Sequence, residues 1–226
     1  LNYAEGKTLL FGGIVDRIDV CNVGDEKYLR IIDYKSSKKQ INEVSLASGI
    51  NMQTLTYLFA VCDENGAYSD YKPAGVLYNP MEISGIEIEQ AKIDEFNQTA
   101  VNSQLKNTGL LIDRKDILEK MEHGLGGKYI PAKLKTDGEF DRYSSVVSEV
   151  GMDRLRDFVY SSITDAAENV LNGNAEANPL RSGKKMPCDY CKYANICGNG
   201  DGKKYHEADS EKLKEAAKIL GKECDE

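Results

Sequence analysis

Apolar and β-branched residues concentrate in two runs, residues 9–20 and 27–35, and between them stands Asn22-Val23-Gly24-Asp25-Glu26, a cluster of turn formers. Such β-rich runs predict strands, and the intervening turn formers predict that Leu9–Val20 and Lys27–Lys35 pair as a hairpin. The second run is nearly unbroken at Leu29-Arg30-Ile31-Ile32, the pattern of a strand covered on both faces. From Ser45 to Cys62 the period changes: Leu46, Ile50, Leu55, Leu58, Phe59 and Cys62 recur at helical spacings, and Asp63-Glu64-Asn65-Gly66 supplies the stop.

Further along, Val76-Leu77-Tyr78 predicts a third strand of the same sheet, ended by Asn79-Pro80. The mixed, polar stretch 86–123 predicts helices over 88–104 and 113–121, the latter capped at Gly124. Residues 124–127 read as a mobile connection, since they lack the Lys-Ser/Thr ending of a phosphate-binding loop. A strand is expected over 128–134 and a turn at 135–138. The strongest amphipathic helix runs over 149–171, where Met152, Leu155, Val159, Ile163, Ala166 and Val170 keep one face, and Asn172-Gly173 closes it. Residues 210–220 predict a short terminal helix, loosely attached.

A chain of 226 residues can bury one sizeable core, so one main domain with an appendage is expected. The expected divisions are 1–180, a cysteine-bearing segment 181–200 and a helical tail 201–226. The hydrophobic fraction of 41% and charged fraction of 29% are ordinary for a globular protein. No run has the apolar length of a membrane span, and the first residues lack the pattern of a signal peptide, so the expected location is the cytoplasm, without membrane contact. A formal charge of −8 argues against a protein that wraps nucleic acid, because phosphate neutralisation drives such binding. It leaves room for local basic groups, and Lys35, Lys38 and Lys39 stand together after the hairpin.

The hairpin carries the candidate chemistry. Alternation puts Asp16 on the face of Ile14 and Ile18, and Asp33 on the face of Ile31 and Lys35. Carboxylates at the end of a buried strand are costly unless paired or holding a metal. Mg²⁺ suits them, since it takes oxygen ligands and is typically held by one or two carboxylates. Lys35 then lies within reach of an attacking water and a scissile phosphate. Asp19 faces the other side and is expected to pair with Arg17 or Arg30. Gln53 and Tyr57, four residues apart, share one face of the following helix. Gly12 and Gly13 mark a bulge, a bend or a close backbone approach. Ser144 and Ser145 have no base at motif spacing and are poor nucleophiles. His123, at a helix end where a cation complements the dipole, is given no catalytic role.

Gly-x-x-Asp, a turn, Asp-Tyr-Lys-Ser and then Gln-x-x-x-Tyr at residues 53–57 resemble the RecB-like branch of the PD-(D/E)xK nucleases. The wording Asp-Arg-Ile-Asp and Ile-Ile-Asp-Tyr-Lys-Ser-Ser is most similar to the AddB subunits of bacterial AddAB helicase-nucleases. The resemblance implies an α/β, restriction-endonuclease-like fold: a mixed central sheet flanked by helices, with a C-terminal cysteine-cluster appendage. It implies a Mg²⁺- or Mn²⁺-dependent exonuclease acting on one strand of linear DNA in double-strand-break repair, partnered by the helicase-nuclease A subunit. Asp16 and Asp33 are then the metal ligands, Lys35 and Gln53 complete the catalytic set, and Tyr57 and Lys38 contact DNA. The abrupt start before the hairpin suggests an excised C-terminal fragment. The rival expectation is a nuclease-like fold that grips DNA or a partner subunit without cutting.

Cys188, Cys191 and Cys197 place three thiols within ten residues. Such density without secretory features points to a metal or redox site rather than disulfides. Iron–sulfur clusters and tetrahedral zinc both want four ligands, so a fourth is missing; His206 is a candidate for a zinc site. The resemblance implies a [4Fe-4S] cluster whose fourth cysteine lies upstream of the nuclease and is absent from this chain. A zinc-stabilised scaffold without an active site is a third expectation.

Overall fold

The computed structural model describes residues 2–4, 6–81, 103–181, 186–199 and 204–222. Its chain forms two compact units, one built from residues 11–41 and 53–156, the other from 1–10, 42–52 and 157–226.

The first unit holds a five-stranded mixed sheet in the order β3-β4-β5-β6-β7. These strands are β3 (Arg17–Val23), β4 (Glu26–Lys35), β5 (Lys72–Pro80), β6 (Thr108–Ile112) and β7 (Val146–Val147). β3 and β4 form the predicted hairpin with Val23 opposite Glu26, and Gly24 turns the chain at a φ of 59°. β4 and β5 are parallel, β5 and β6 antiparallel, β6 and β7 parallel. Helix α2 (Gln53–Cys62) packs on β4 and β5, burying Leu55, Leu58 and Phe59. On the opposite face Ile32, Leu77 and Leu111 pack with Leu118 of α3 (Lys115–Met121), Leu125, Ile130 and Ala132. Each large side chain buried this way contributes about 1.5–3 kcal/mol. Coverage on both faces explains the unbroken apolar run of β4. A mixed sheet between helices is the fold that the resemblance implies.

The second unit pairs two short strands, β1 (Asn2–Ala4) and β2 (Lys7–Thr8), and packs α1 (Glu43–Ala47) against the terminal helix α5 (Ser210–Ile219). Asn42 and Ser45 cap α1 reciprocally, with Asn42 Oδ1 accepting from Ser45 N at 2.8 Å. Asp209 accepts from Glu211 N and Lys212 N at the start of α5. The long helix α4 (Glu149–Leu171) follows the expected bounds, with Gly173 beyond its end at a φ of 71°.

Several expectations need correction. β3 begins at Arg17, not Leu9, because the ladder ends in a side chain: the next amide, Tyr34 N, donates to Asp16 Oδ2 at 3.0 Å. The helix expected over 45–62 is two helices, broken where Gly49 and Asn51 take φ of 68° and 60°, a conformation incompatible with a continuous right-handed helix. Residues 128–134 make only isolated bridges, Gly126 with Lys133 and Leu134 with Phe140. The amides of Lys128, Tyr129 and Ile130, which a strand would use for its ladder, go instead to the carboxylate of Glu122, at 2.8, 2.7 and 2.9 Å. The same bonds pin a connection expected to be mobile. α5 is not loosely attached: Ala216, Ile219 and Leu220 are buried, and Lys222 Nζ lies 3.1 Å from Glu43. The helix expected over 88–104 falls mostly outside the described residues.

Candidate active site

Pairing of Arg17 with Ile32 carries the hairpin register to its open end, where Asp16, just beyond the ladder, is tied to β4 by Tyr34 N. Asp33, beside Tyr78, lies on the sheet face under α2, as alternation predicts. Asp33 Oδ2 is buried and has no hydrogen-bond partner among the described residues. Lys35 Nζ stands 2.6 Å from that oxygen, an ion-pair contact off the direction of a hydrogen bond. Lys35 is thus the charge partner of a carboxylate whose side chain is 15% exposed, and the oxygen still lacks a hydrogen-bond donor, a position that a hard cation would fill. Asp16 Oδ2 is fixed by Tyr34 N while its other oxygen remains available. Two carboxylates anchored this way fit Mg²⁺ or Mn²⁺, with remaining positions for water and phosphate oxygens.

The first turn of α2 comes to the same place. Tyr78 pairs with Asp33 across β4 and β5, and its phenol is hydrogen-bonded to Thr54, next to Gln53. Burial raises the Tyr78 phenol above its ordinary range, the Asp33 charge adds to this, and the Thr54 bond opposes it. Gln53 Nε2 donates to Tyr57 Oη at 3.0 Å, so these residues act as one unit on the helix face. Tyr57 also explains Gly13: a Cβ on Gly13 would stand 2.1 Å from Tyr57 Oη. The close backbone approach signalled by this glycine is therefore to Tyr57. Gly13→Ala is expected to displace the partly exposed Tyr57 ring and its hydrogen bond from Gln53 at a cost below about 1 kcal/mol, read as a small drop in the urea midpoint together with weaker strand binding; unchanged strand binding would show that the contact is slack. Lys38 Nζ donates to Ser103 O at 3.1 Å and is exposed.

Asp19 sits on the other face in a basic clamp, 2.8 Å from Arg30 and 2.7 Å from Arg17. Burial works against its charge, but the bonds from Arg17 and Arg30 together hold its carboxyl below the usual range. His123, nearly fully exposed, pairs with Glu119 at 2.9 Å. Ser145 Oγ donates to Gly109 O at 2.6 Å, a structural bond. A cleft lined by Tyr28, Phe59, Tyr71, Lys72 and Arg156 opens at the far end of β4 and β5, away from the carboxylates. Sequence reasoning missed Thr54 and Glu122, both buried and polar, because hydrophobic periodicity carries no signal for a polar side chain that is satisfied inside.

The three cysteines of the tail are not brought together. Cys191 Sγ accepts from Tyr193 N and Cys197 Sγ from Asn199 N, each at 3.4 Å. Among the described residues no three His, Cys, Asp or Glu side chains converge on a common centre. His206 Nδ1 is 2.8 Å from Asn178 O, so it does not join them. The thiols as placed do not fit a cluster. Cys21 and Cys62 are free, and burial pushes the Cys62 thiol up to about 12.

Among the described residues no helix is long and apolar enough to cross a membrane. Curated relatives are named as the B-type component of an ATP-dependent helicase/deoxyribonuclease. That of Thermoanaerobacter sp. is 31% identical over 97% of this chain and 20% of its own length. That of Clostridium acetobutylicum is 31% identical over 98% of this chain and 20% of its own, and that of Lysinibacillus sphaericus 33% over 87% and 18%. The chain thus spans about a fifth of the relatives it matches. The sequence profile of the PD-(D/E)XK nuclease superfamily matches residues 3–198, a stretch that takes in the hairpin, the sheet and both carboxylates. On that match the chain belongs to the PD-(D/E)XK nuclease superfamily, whose members generally use divalent metal ions.

Proposed function

We propose that this chain is a metal-dependent deoxyribonuclease that hydrolyses phosphodiester bonds of one strand of linear DNA. The observation that carries the reading is the gathering of Asp16, Asp33 and Lys35 at one end of the hairpin, with the buried Asp33 Oδ2 held by the Lys35 charge and by no hydrogen bond. Asp16 and Asp33 would hold Mg²⁺ or Mn²⁺. A cation there supplies Lewis-acid stabilisation of the charge that grows on the phosphate. Lys35 positions the attacking water, takes part in its deprotonation and faces the phosphate oxygens. Gln53 orients the groups around the carboxylates, and Tyr57 and Lys38 hold the DNA backbone. Tyr34 N keeps Asp16 from turning away.

The relatives' names describe one component of a helicase/deoxyribonuclease. We extend this to the present chain as the exonuclease part of such a complex in double-strand-break repair, acting beside the A subunit in the cytoplasm. Residues 1–180 do the nuclease work. The [4Fe-4S] role of Cys188, Cys191 and Cys197 rests on their spacing and the family resemblance, and no step of the reaction runs through it.

The test is degradation of end-labelled linear single-stranded DNA with Mg²⁺, with Mn²⁺ and with a chelator. Products that appear with either metal and vanish with the chelator are expected. Intact DNA under all three conditions, with the strand nonetheless bound, would favour the non-cutting reading.

A further inference from the structure

We infer that single-stranded DNA is led to the carboxylates along a stacking track on the same end of the sheet, with Tyr129 and Tyr143 as its base platforms. The inference rests on the nuclease reading and gives it a substrate path that the site residues alone do not.

The track follows from strand order. Asp33 pairs with Tyr78, and Tyr78 pairs with Thr108, so Thr108 lies two strand spacings, about 10 Å, from Asp33 along the sheet edge. Thr108 Oγ1 donates to Lys39 O, which brings the chain after β4 to this row together with Lys38. Its neighbour Asn107 bonds Tyr129 O twice, from N at 3.0 Å and from Nδ2 at 2.9 Å. On the other side, β7 runs parallel to β6 with Val146 beside Leu111. Ser145 bonds Gly109 O through Oγ and Leu111 N through its carbonyl. Tyr143, two residues earlier, therefore emerges at the same end.

Both tyrosines are displayed on a rigid base. Tyr129 is 56% exposed, yet its amide is held by buried Glu122 and its carbonyl by Asn107, while the next residue, Ile130, is fixed in the core. Tyr143 is 78% exposed; its amide donates to Asp141 Oδ1 at 2.8 Å, and the following Ser144 Oγ accepts from Lys133 N at 2.9 Å. A large aromatic ring kept in water on a fixed backbone loses burial energy without gaining mobility, which is what a stacking surface requires. Each ring is paired with a cation: Lys128 Nζ lies 5.0 Å from the Tyr129 centroid and Arg142 Cζ 4.6 Å from that of Tyr143. Exposed aromatics beside cations are the usual means of gripping single strands, the rings taking bases in any sequence and the cations the phosphates. In a chain of net charge −8, Lys38, Lys128 and Arg142 would give the phosphates a local basic approach at this end of the sheet.

The test is fluorescence anisotropy of the 226-residue chain with labelled oligothymidylate in chelator, alongside cleavage of the same strand with Mn²⁺. Tyr129→Ala and Tyr143→Ala should each weaken binding at least about fivefold, as expected for loss of a stacked base, and Tyr129→Phe should restore most of it because the π-face is kept. Lys128→Ala should lower the slope of log affinity against log salt by about 0.7. Both rings are exposed, so melting should be unchanged. Wild-type cleavage with unaltered binding in both alanine variants would overturn the track and leave the nuclease reading intact. A wild type that neither binds nor cuts would overturn both.

Discussion

Lys35→Ala is expected to lower strand cleavage by about 10³-fold while cation binding stays near the wild-type level. Removing a group that both handles a proton and faces developing charge typically loses about 10²–10⁴-fold. Lys35 is partly exposed, and its absence leaves the Asp33 carboxylate without its charge partner, a place that a bound cation would take. Asp33→Ala is the complementary change: it should abolish both cleavage and tight cation binding. The fold should tolerate it, because Asp33 Oδ2 has no hydrogen-bond donor and the Lys35 ammonium left behind is partly exposed. Isothermal titration with Mn²⁺, a urea midpoint and the cleavage rate separate the two variants. Lys35→Ala cleaving within a few-fold of wild type would remove that residue from the chemistry. Asp33→Ala binding Mn²⁺ as before would move the ligands elsewhere.

Glu122→Ala is expected to have the largest effect on stability, about 3–5 kcal/mol. The carboxylate is 7% exposed and is the acceptor for three consecutive amides, those of Lys128, Tyr129 and Ile130. Its loss leaves those donors without a partner, at about 1–3 kcal/mol each where water does not reach. Burial works against the charge of Glu122, but the amides of Lys128, Ile130, Tyr129 and Gly127 outweigh it and hold the carboxyl below the usual glutamate range. The sign of the pH dependence follows. A carboxyl depressed in the folded state stabilises fully above its unfolded value, about 4.3, and that stabilisation is lost as pH falls through the lower folded value. Glu122→Gln should therefore be less stable than wild type at pH 7 and lose less between pH 5 and pH 3. Urea midpoints across that range decide the matter: parallel curves for the two proteins would mean that Glu122 is not the titrating support.

The hairpin was legible because two signals coincided, β-rich runs and the turn formers between them. α4 was legible for the same reason at helical period, down to its terminal residues. β6 was not: Gly109-Leu110-Leu111-Ile112 is a short apolar run opened by a glycine, which periodicity cannot assign. The strand expected over 128–134 failed because a side chain, Glu122, competes for the backbone donors, and such competition is invisible to a pattern of apolar positions. α5 was read as loose because its partner α1 lies about three-quarters of the chain away. Within the candidate site, alternation places Asp33 and Lys35 on one face of β4 from the sequence alone, whereas Asp16 lies outside the paired residues of β3. The contacts of Thr54 with Tyr78 and of Gly13 with Tyr57 join separate elements and needed coordinates.

The mixed sheet also fixes an order of assembly. β3 and β4 meet through a tight turn, so little chain entropy is lost before Asp16 and Asp33 face each other, and hairpins close within microseconds. The parallel pairing of β4 with β5 must wait for the crossover that carries α2, since distant contacts are rewarded only after the loop is closed. On this topology the two acidic groups are expected to become neighbours early in folding, before the glutamine and tyrosine of α2 close over them.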